Sequence, residues 1–504
     1  MRRATLPISI YATTVFSASG LLMMLEILAG RLLAPYIGVS LYTWTSIIGV
    51  ILAGVSLGNW LGGVWSDRKG DERGAAIVLA ICGTTCIAVL LLLSVLAPYL
   101  QGFNLSAMSA SFIYVCGLFF APAFLIGIIT PLLTTLALKR SSQPGHIIGM
   151  MHALAAAGSI LGTFLAGYWL IQYFGTHNLI IACGLAFYLL SFPFFLGHAR
   201  KRDTVIAAVS ILIALLAYQR EAFTSPCKKE SQYFCIRVVN ASDMVPFGYA
   251  NAMVLDHLMH GVNHATRADM LVYSYVHAID EIIKIHFAGN ITSLDYFFAG
   301  GGSYTHPRAV NALYPAARVT VAEIDPAVTW VAQEWMNVNT SKMRIRHHDA
   351  RLALRENPPA SFDIIIGDVF HDVTLPYHLT TREYLQLVKN RLRPNGFYAM
   401  NVVDTGVDPK LVKSIIKTLQ SEFNFVDIWL EQNQPSVLRQ TYVISASNNR
   451  NLPNSIHSTQ GFKRQWVKVT DNILQSGTPL AELPLLTDDY VPVERLIAAL
   501  VLQH

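Results

Sequence analysis

The chain has 504 residues, of which 53% are hydrophobic and only 14% charged, and its formal net charge is +5. This composition excludes an ordinary soluble protein, in which apolar and charged residues are more evenly balanced. The excess of apolar residues lies before about residue 218, and the positive charges gather in the short loops of that same half. Loop charges of this kind set membrane topology, so the sequence argues against nucleic acid as a partner.

Seven apolar stretches in the first half are long enough, or nearly so, to cross the roughly 30 Å of hydrocarbon in a bilayer. They predict an N-terminal all-α transmembrane bundle surrounded by the lipid bilayer. The last stretch is shorter than the roughly 20 residues that a spanning helix needs. The first stretch lacks a small-residue cleavage site, which indicates a retained helix. The seven stretches are residues 8–33, 42–65, 75–98, 111–138, 148–171, 178–197 and 204–218.

Positive residues precede the first stretch and follow the second, fourth and sixth, whereas the loops between them contain no Lys or Arg. By the positive-inside rule this predicts a multi-pass protein of the inner cell membrane with a cytoplasmic N-terminus. If the seventh stretch crosses, the C-terminal domain lies outside the cytoplasm, and if it lies in the interface the domain stays inside. Cys227 and Cys235 follow this stretch, and they fit either a disulfide or two free thiols.

Glu26 and Arg31 lie five positions apart within the first stretch. Charged residues are costly inside a bilayer, so they predict a paired structural contact or, alternatively, a substrate or proton path. Residues 58–68 resemble the Gly-xxx-Asp-Arg loop of major facilitator transporters. Their glycines, like the small residues of 155–162, predict close helix packing. Seven stretches are too few for a twelve-helix transporter, so transport is the weaker hypothesis.

The second half has a globular composition and a different pattern. Short strands predict a small β-rich lead-in, and the strands and helices that follow alternate as in a doubly wound parallel sheet. The sequence therefore predicts a transmembrane domain at 1–218, a lead-in with a connecting helix at 219–290 and an α/β domain at 291–504. The predicted segments are strands 233–240 and 252–258, helix 270–286, and the alternating segments 293–299, 307–313, 318–323, 327–336, 343–347, 350–355, 362–367, 381–391 and 396–403.

Two features of the alternating part point to a ligand. The apolar run Tyr296–Ala299 ends in Gly300, Gly301 and Gly302, where a backbone without side chains can approach a ligand closely. A second apolar run, about twenty residues later, ends at Glu323, whose carboxylate can bind the two hydroxyls of a ribose. The carboxyl ends of parallel strands meet at one edge of a sheet. The pair therefore predicts a nucleoside-containing ligand at that edge.

Residues of about 231–430 resemble the spermidine synthases, or aminopropyltransferases, which have a class I methyltransferase-like, Rossmann-like fold. The resemblance is to the membrane-fused branch of that family, since it extends to residues 26–35, Glu-Ile-Leu-Ala-Gly-Arg-Leu-Leu-Ala-Pro. It implies that the donor is S-adenosylmethionine or its decarboxylated form, and that the acceptor is a small-molecule amine.

The resemblance also implies a role for each acid at a strand end. Gly300–Ser303 would bring the backbone close to the nucleoside, Glu323 would bind the ribose hydroxyls, and Asp349 matches the acid that reads the adenine amine. Asp368 matches the catalytic acid beside the reacting amine, which must be neutral to displace a sulfonium-activated carbon. Further substrate contacts are expected at Asp256, His260, Tyr273, Tyr275 and Asp372.

Three departures from the family pattern affect the expected substrate. Ser303 and Tyr304 stand where the family has Asp and Gly, and that Asp holds the aminopropyl ammonium group. Tyr273–Tyr275 replaces Tyr-His-Glu, and residues 368–372 replace Asp-Ser-Ser/Thr-Asp-Pro. A polycation needs several acids to offset its desolvation, so the residues favour nucleoside binding over aminopropyl transfer to putrescine. With S-adenosylmethionine itself as donor, Ser303, Tyr304 or Arg308 would face its carboxylate.

Asp256, His257, His260 and His264 have spacings that could place three zinc ligands on one face of a helix. The family resemblance instead puts this segment in a β-hairpin near the substrate entrance, where helical spacing is irrelevant. We therefore expect no metal.

The first function hypothesis is a membrane-integral transferase that moves an aminopropyl-type group to an amine. The second is a non-catalytic membrane protein whose sheet domain senses a ligand or assists transport. A methyltransferase dependent on S-adenosylmethionine is the third, because the same fold and ribose acid serve it. A second copy of the chain, in a homodimer, is a further candidate partner.

Overall fold

The computed structural model describes residues 6–103, 105–196, 203–369, 375–432 and 439–502. The chain divides into two compact units, Met1–Cys235 and Ile236–His504. Helices build the first unit, which also contains the short strand β1, Lys229–Glu230. The second unit is built from β-sheets with helices between the strands.

Long apolar helices make up the first unit, as predicted. Among the described residues, six helical spans are long and apolar enough to cross a membrane, and the helix after them has 17 residues. The predicted all-α N-terminal bundle is confirmed, and the seventh stretch is again the shortest. The helices are α1 Ile8–Ile37, α2 Leu41–Lys69, α3 Glu72–Leu100, α4 Ala107–Leu138, α5 Pro144–Leu165, α6 Ile171–Phe174 (joined to α5 by the π-helical turn Ala166–Leu170), α7 Thr176–Phe195 and α8 Asp203–Gln219.

The predicted glycine-rich segments are sites of close helix contact. A Cβ atom at Gly58 of α2 would overlap the carbonyl oxygen of Phe124 in α4, and one at Gly62 would lie 2.9 Å from the Cα atom of Ile128. A Cβ atom at Gly158 of α5 would likewise overlap the carbonyl oxygen of Phe16 in α1. Small residues let helix backbones approach in this way, so these glycines serve packing within the bundle.

Arg31 makes different contacts from those predicted. Its Nη1 donates to the carbonyl oxygen of Tyr233 and its Nη2 to that of Ser231, both at 2.7 Å. These bonds tie α1 to the segment that follows α8, in place of the expected pair with Glu26. In that segment Cys227 and Cys235 form a disulfide, which decides between the two alternatives left open by the sequence.

The second unit begins with antiparallel strands β2 Cys235–Asn240, β3 Ala250–Leu255 and β4 Leu258–His264. Leu255 pairs with Leu258, so Asp256 and His257 form a two-residue turn, and Asp256 has a φ of +53°. The hairpin expected from the family resemblance is therefore present. Since the segment is not helical, the spacing of its histidines cannot bring three ligands onto one helical face.

A large mixed sheet forms the core of this unit. Within the described part of the chain, its strand order is β12-β13-β10-β11-β9-β8-β5-β6-β7. Strands β5 to β9 are parallel, with β5 between β6 and β8, and this confirms the predicted doubly wound arrangement. The bounds are β5 Asp295–Ala299, β6 Arg318–Ala322, β7 Met343–Arg346, β8 Phe362–Gly367, β9 Leu392–Thr405, β10 Phe425–Glu431, β11 Arg439–Ser447, β12 Ser455–His457 and β13 Gln465–Lys468.

Helices connect these strands and cover the sheet. The inner parallel strands β5, β6 and β8 are mostly buried, as their apolar composition requires when helices cover both faces, whereas the edge strand β7 is largely not. The helices are α9 Ser274–His286, α10 Thr305–Leu313, α11 Pro326–Trp335, α12 Ala350–Arg355, α13 Arg382–Arg391, α14 Lys410–Gln420, α15 Thr470–Gln475, α16 Val493–Leu496 and α17 Ala498–Leu502.

The antiparallel extension holds the start of α9 in place. Trp466 of β13 donates from Nε1 to the hydroxyl of Ser274 at 2.9 Å. The neighbouring Arg464 donates from Nη2 to the carbonyl oxygen of Val272 at 2.6 Å. These bonds fix the extended segment before α9 and the first turn of the helix, and so position Tyr275.

Candidate active site

The loop after β5 turns sharply at its first glycine. Gly300 has a φ of +92°, which residues with side chains rarely adopt, and its N–H donates to the carbonyl oxygen of Ala322 at 2.9 Å. A Cβ atom at Gly300 would overlap the carbonyl oxygen of Asp368, which follows β8. The position therefore requires glycine, and the ends of three neighbouring parallel strands meet there.

Glu323, directly after β6, binds this glycine loop. Its Oε2 accepts hydrogen bonds from the N–H groups of Gly301 at 2.9 Å and Gly302 at 3.2 Å, and its Oε1 accepts from the N–H of Asp325 at 2.9 Å. Burial raises the pKa of Glu323, and these hydrogen bonds oppose the rise. A carboxylate has about four lone-pair sites and three are used here, so Glu323 can hold the loop and still accept one hydrogen bond from a ribose hydroxyl.

Asp349, just beyond β7, caps helix α12. Its Oδ1 accepts from the N–H groups of Arg351 at 3.0 Å and Leu352 at 3.2 Å, and its Oδ2 lies 2.6 Å from Nε2 of His378. Burial acts to raise the pKa of Asp349, but the hydrogen bonds from His378 and Leu352 outweigh it and lower the pKa. Asp349 is therefore a fixed carboxylate at the same edge of the sheet as Glu323.

Asp368 is the first residue after β8, and it contacts the hydroxyl of Tyr275. That hydroxyl donates to Oδ2 of Asp368 at 3.1 Å. Burial raises the pKa of Asp368 to about 6, while hydrogen bonds from Tyr275 and Asn401 act to lower it. A carboxyl group with this pKa is ionised at neutral pH and is a stronger base than an ordinary aspartate, which suits proton transfer.

Three of the further predicted contacts lie around Asp368 and the glycine loop. Tyr273 stacks on Tyr275 with 5.9 Å between the ring centroids, and its hydroxyl donates to the carbonyl oxygen of Met259 at 3.4 Å. His260 of β4 lies against Gly302, and burial, followed by nearby positive charge, lowers the pKa of His260 to about 4. These side chains are therefore uncharged at neutral pH.

The other two predicted contacts have different outcomes. Asp256 lies in the hairpin turn, where its backbone carbonyl accepts from Nη2 of Arg237 at 2.8 Å. Asp256 is thus part of the hairpin structure, and its predicted contact with substrate stays a prediction. Asp372 lies outside the described residues, and its predicted role stays a prediction as well.

The three residues considered as partners of a donor carboxylate are bonded within the protein. The Ser303 hydroxyl lies 2.7 Å from that of Thr305, and the Tyr304 hydroxyl lies 2.7 Å from that of Thr329. Tyr304 is fully buried, so its side chain belongs to the core. Arg308 donates at 2.8 Å to the carbonyl oxygen of the last residue of β4. Of the three, Ser303 lines the cleft next to Asp368.

Three polar residues near the predicted acids were not among the predicted site residues. His378 binds Asp349, and Asn401 of β9 lies beside Asp368. His306 lines the cleft at Asp368, with its Nε2 3.5 Å from Oδ1 of Asp280. His378 and Asn401 are far from their partners along the chain, so no local spacing signals them. The position of His306 shortly after the glycine loop is a signal that could have been used.

Two cavities adjoin Tyr275. The first is a cleft of about 20 Å³ lined by residues that include Gly300, Ser303, His306 and Asp368. It has room for about one water molecule, so the reacting chain of a donor can enter only if side chains move. The second has a volume of about 350 Å³ and lies between the start of α9 and strands β10, β11 and β13. Tyr275 lines both cavities.

Comparison with known proteins finds similarity to transferases. The chain is 25% identical over 214 residues to a probable polyamine aminopropyl transferase of Bifidobacterium longum, over 39% of this chain and 47% of that protein. It is 27% identical over 205 residues to the polyamine aminopropyltransferase of Vibrio vulnificus, over 39% of this chain and 67% of that protein. The chain thus spans about half to two thirds of these relatives. No protein-family model matches it.

The chain is also similar to a methyltransferase and to a solved structure. Over 137 residues, 25% of this chain and 19% of the other, the chain is 30% identical to an eEF1A lysine and N-terminal methyltransferase of Xenopus laevis. A probable spermidine synthase from Corynebacterium glutamicum superposes with a TM-score of 0.44 and 20% identity, over 52% of this chain and all of that one. The strand order of the large sheet, with β5 between β6 and β8, agrees with the predicted class I methyltransferase-like fold. The C-terminal part of the chain is thus similar to polyamine aminopropyltransferases, and a bundle of apolar helices precedes it.

Proposed function

We propose that the α/β domain binds S-adenosylmethionine or its decarboxylated form and transfers an aminopropyl-type group to an amine. One observation carries the proposal. The glycine loop, Glu323, Asp349 and Asp368 follow four parallel strands that are adjacent in the sheet, and they lie at the same edge. In sheets of this type ligands bind at the carboxyl ends of the strands, where the strand order reverses.

In this proposal the nucleoside lies across the ends of β5, β6 and β7. The backbone at Gly301 approaches it closely, Glu323 accepts a hydrogen bond from a ribose hydroxyl through its remaining lone-pair site, and Asp349 accepts one from the adenine amine. The hydrogen bonds that Glu323 and Asp349 already receive from backbone N–H groups hold both carboxylates in position. A pre-positioned site of this kind avoids the entropic cost of ordering side chains on binding.

The reaction at Asp368 is an alkyl transfer. The amine nitrogen attacks the carbon bound to the sulfonium, a C–N bond forms as the C–S bond breaks, and the sulfur keeps the electron pair as a neutral thioether. The amine nitrogen loses one proton, which Asp368 accepts and passes to solvent. The pKa of about 6 and the hydrogen bond from Tyr275 suit Asp368 to orient the amine and take this proton.

The first unit supports a multi-pass membrane location, since six of its described helical spans are long and apolar enough to cross a bilayer. We propose that the protein lies in the inner cell membrane with its N-terminus in the cytoplasm, because the positively charged loops alternate with uncharged ones. Its partners would then be the lipid bilayer and a small-molecule amine.

A methyltransferase is the second candidate, favoured by the 30% identity to the Xenopus laevis methyltransferase. The same nucleoside site would serve both reactions, but the leaving nucleoside differs. Loss of an aminopropyl-type group leaves methylthioadenosine, whereas loss of a methyl group leaves adenosylhomocysteine.

The test is product identification with purified full-length protein in detergent. The protein is incubated with either donor and a mixture of primary amines, and the nucleosides are separated and identified by mass spectrometry. Methylthioadenosine in amounts that depend on added amine is the expected result, and Asp368→Asn should release it at least about a hundredfold more slowly. Adenosylhomocysteine would support the second candidate. Release of neither nucleoside by folded protein would contradict an enzymatic function.

A further inference from the structure

His306, the second residue of α10, lines the cleft at Asp368 and has no part in the proposed nucleoside site. The residue is buried, and its ring packs edge-on against Phe298 with 5.3 Å between the ring centroids. The cleft has a volume of about 20 Å³, which is room for about one water molecule. A water or an amine nitrogen in a cleft of this size lies close to both Asp368 and His306.

The ring nitrogen Nε2 of His306 faces a second carboxylate. It lies 3.5 Å from Oδ1 of Asp280 in α9, and among the described residues this buried nitrogen has no hydrogen-bond partner. Hydrogen bonds of catalytic groups are often long without substrate and shorten in the complex. With the ring hydrogen on Nε2 directed at Asp280, the lone pair is on Nδ1, so the neutral ring can accept a proton there.

The surroundings of Asp280 favour a positive charge on His306. Oδ2 of Asp280 lies 2.8 Å from Nζ of Lys284, and Oε1 of Glu281 lies 3.1 Å from the same nitrogen. These two buried carboxylates and one ammonium group carry one net negative charge, and the imidazoles that face them are those of His306 and His277. Buried charge is costly unless it is paired, so Asp280 stabilises a proton on His306.

The other titratable groups of the cleft leave His306 and Asp368 as the pair that can exchange a proton. Burial raises the pKa of Tyr275 and lowers that of His260 to about 4, so neither is charged at neutral pH. Burial raises the pKa of Asp368 to about 6, while hydrogen bonds from Tyr275 and Asn401 and the charge of His306 act to lower it. Imidazole is the side chain that gains and loses a proton closest to neutral pH.

We propose that His306, supported by Asp280, takes the amine proton from Asp368 and releases it when the product leaves. This inference rests on the proposed transfer reaction and adds a second proton-carrying residue to it. The amine nitrogen forms the new C–N bond with its lone pair, and the C–S bond of the donor breaks with the electron pair on sulfur. One proton moves from the nitrogen to Asp368 and then to Nδ1 of His306. Asp368 is a carboxylate again, and the imidazolium beside Asp280 keeps the proton from returning.

The test uses a variant that separates proton transfer from support of the fold. His306→Gln keeps an N–H group that can donate to Asp280, but a neutral amide does not accept a proton at neutral pH. Methylthioadenosine release is measured with full-length protein in detergent, with either donor and a fixed excess of the primary-amine mixture. We expect kcat to fall at least about tenfold while KM for the donor is unchanged, a smaller loss than for Asp368→Asn because Asp368 is still present.

Two further readouts would not respond to a merely structural role. Loss of the imidazolium charge removes one cause that lowers the pKa of Asp368, so the acid limb of the pH profile of kcat/KM should move to higher pH in His306→Gln. Asp280→Asn should lower kcat by about tenfold, the effect of losing one hydrogen bond to a charged group. The same change should cause no further loss in His306→Gln, because Asp280 acts through His306.

His277→Gln is the matched control. His277 is a buried histidine on α9 whose Nε2 lies at the same distance of 3.5 Å from a carboxylate oxygen, that of Glu281, and it is not among the residues that line the cleft. This variant should keep kcat and the position of the acid limb, whatever its effect on the Tm.

The outcomes separate this inference from the function on which it rests. Wild-type kcat in His306→Gln, or an equal loss of kcat in His277→Gln, would overturn the inference while methylthioadenosine release by the wild type leaves the transfer reaction in place. If His306→Gln does not fold, Asp280→Asn decides, and an unchanged kcat in that variant overturns the inference. Release of no methylthioadenosine by folded wild type would overturn the proposed function and the inference with it.

Discussion

Replacing Asp368 by Asn should strongly reduce turnover and at the same time stabilise the folded protein. The pKa of Asp368 is raised from 3.8 to about 6, chiefly by burial. One pKa unit corresponds to about 1.4 kcal/mol, so ionised Asp368 costs up to about 3 kcal/mol of folding stability at neutral pH, and partial exposure to solvent reduces this to about 1–2 kcal/mol. Asn cannot ionise, so the variant avoids this cost.

The pH dependence gives this prediction its sign. Because the pKa of Asp368 is higher in the folded than in the unfolded protein, its contribution to stability falls as the pH rises from about 4 through about 6. At a pH above about 6, the Tm of Asp368→Asn should therefore exceed that of the wild type by several degrees. Near a pH of about 4 the difference between the two Tm values should vanish. Turnover should fall by about a hundredfold to ten thousandfold, as for loss of a general base.

The assay combines a thermal-melt series over pH with the methylthioadenosine assay. Asp363→Asn is the matched control, since Asp363 lies near the other end of the same strand, where it pairs with Arg393 at 2.5 Å. That variant should lower the Tm and keep turnover. The reasoning about Asp368 is refuted if Asp368→Asn keeps wild-type turnover, or if its Tm shows no gain at neutral pH.

Three other changes test neighbouring features. Gly300→Ala should abolish nucleoside binding or folding of the α/β domain, because the added Cβ would overlap the Asp368 carbonyl oxygen and because a φ of +92° is unfavourable for alanine. Calorimetric titration would measure the binding and a thermal melt the folding. An unaffected protein would contradict the loop geometry. Tyr275→Phe removes a hydrogen bond that lowers the pKa of Asp368, so the acid limb of the pH profile of kcat/KM should move to higher pH. An acid limb that does not move would argue against this contact. Cys227 and Cys235 should resist alkylation in intact cells until a reductant is added, whereas labelling without reductant would place them in a reducing compartment.

The parallel part of the sheet and its acids could be predicted from sequence because local patterns determine them. The apolar runs before Gly300, Glu323 and Asp368 are buried strands, and each run ends within one residue of its predicted limit. Parallel pairing then brings their carboxyl ends to one edge of the sheet, so the positions of these residues follow from the strand order. The apolar helices of the first unit were equally accessible, since length and composition suffice to predict them.

Features that depend on contacts between distant parts of the chain could not be predicted. The helix predicted from residue 270 begins at Ser274, because Arg464 binds the carbonyl oxygens of Leu271 and Val272 and keeps that segment extended. The partners of Arg31 were likewise not predictable, because they are backbone carbonyl oxygens about two hundred residues away and not the nearby Glu26. Strands β10 to β13 pair antiparallel beyond the predicted segments, and residues of β10, β11 and β13 line the 350 Å³ cavity beside Tyr275.

The central claim is that an adenosine-binding site lies at the carboxyl edge of the parallel strands. It is tested most directly by calorimetric titration of methylthioadenosine, which has no charged tail, into the full-length protein. We predict binding at one site per chain, weakened at least about tenfold by Glu323→Gln and unaffected by Glu334→Gln, an exposed glutamate on α11. Absence of binding to protein that melts cooperatively, or equal binding by Glu323→Gln, would contradict the claim.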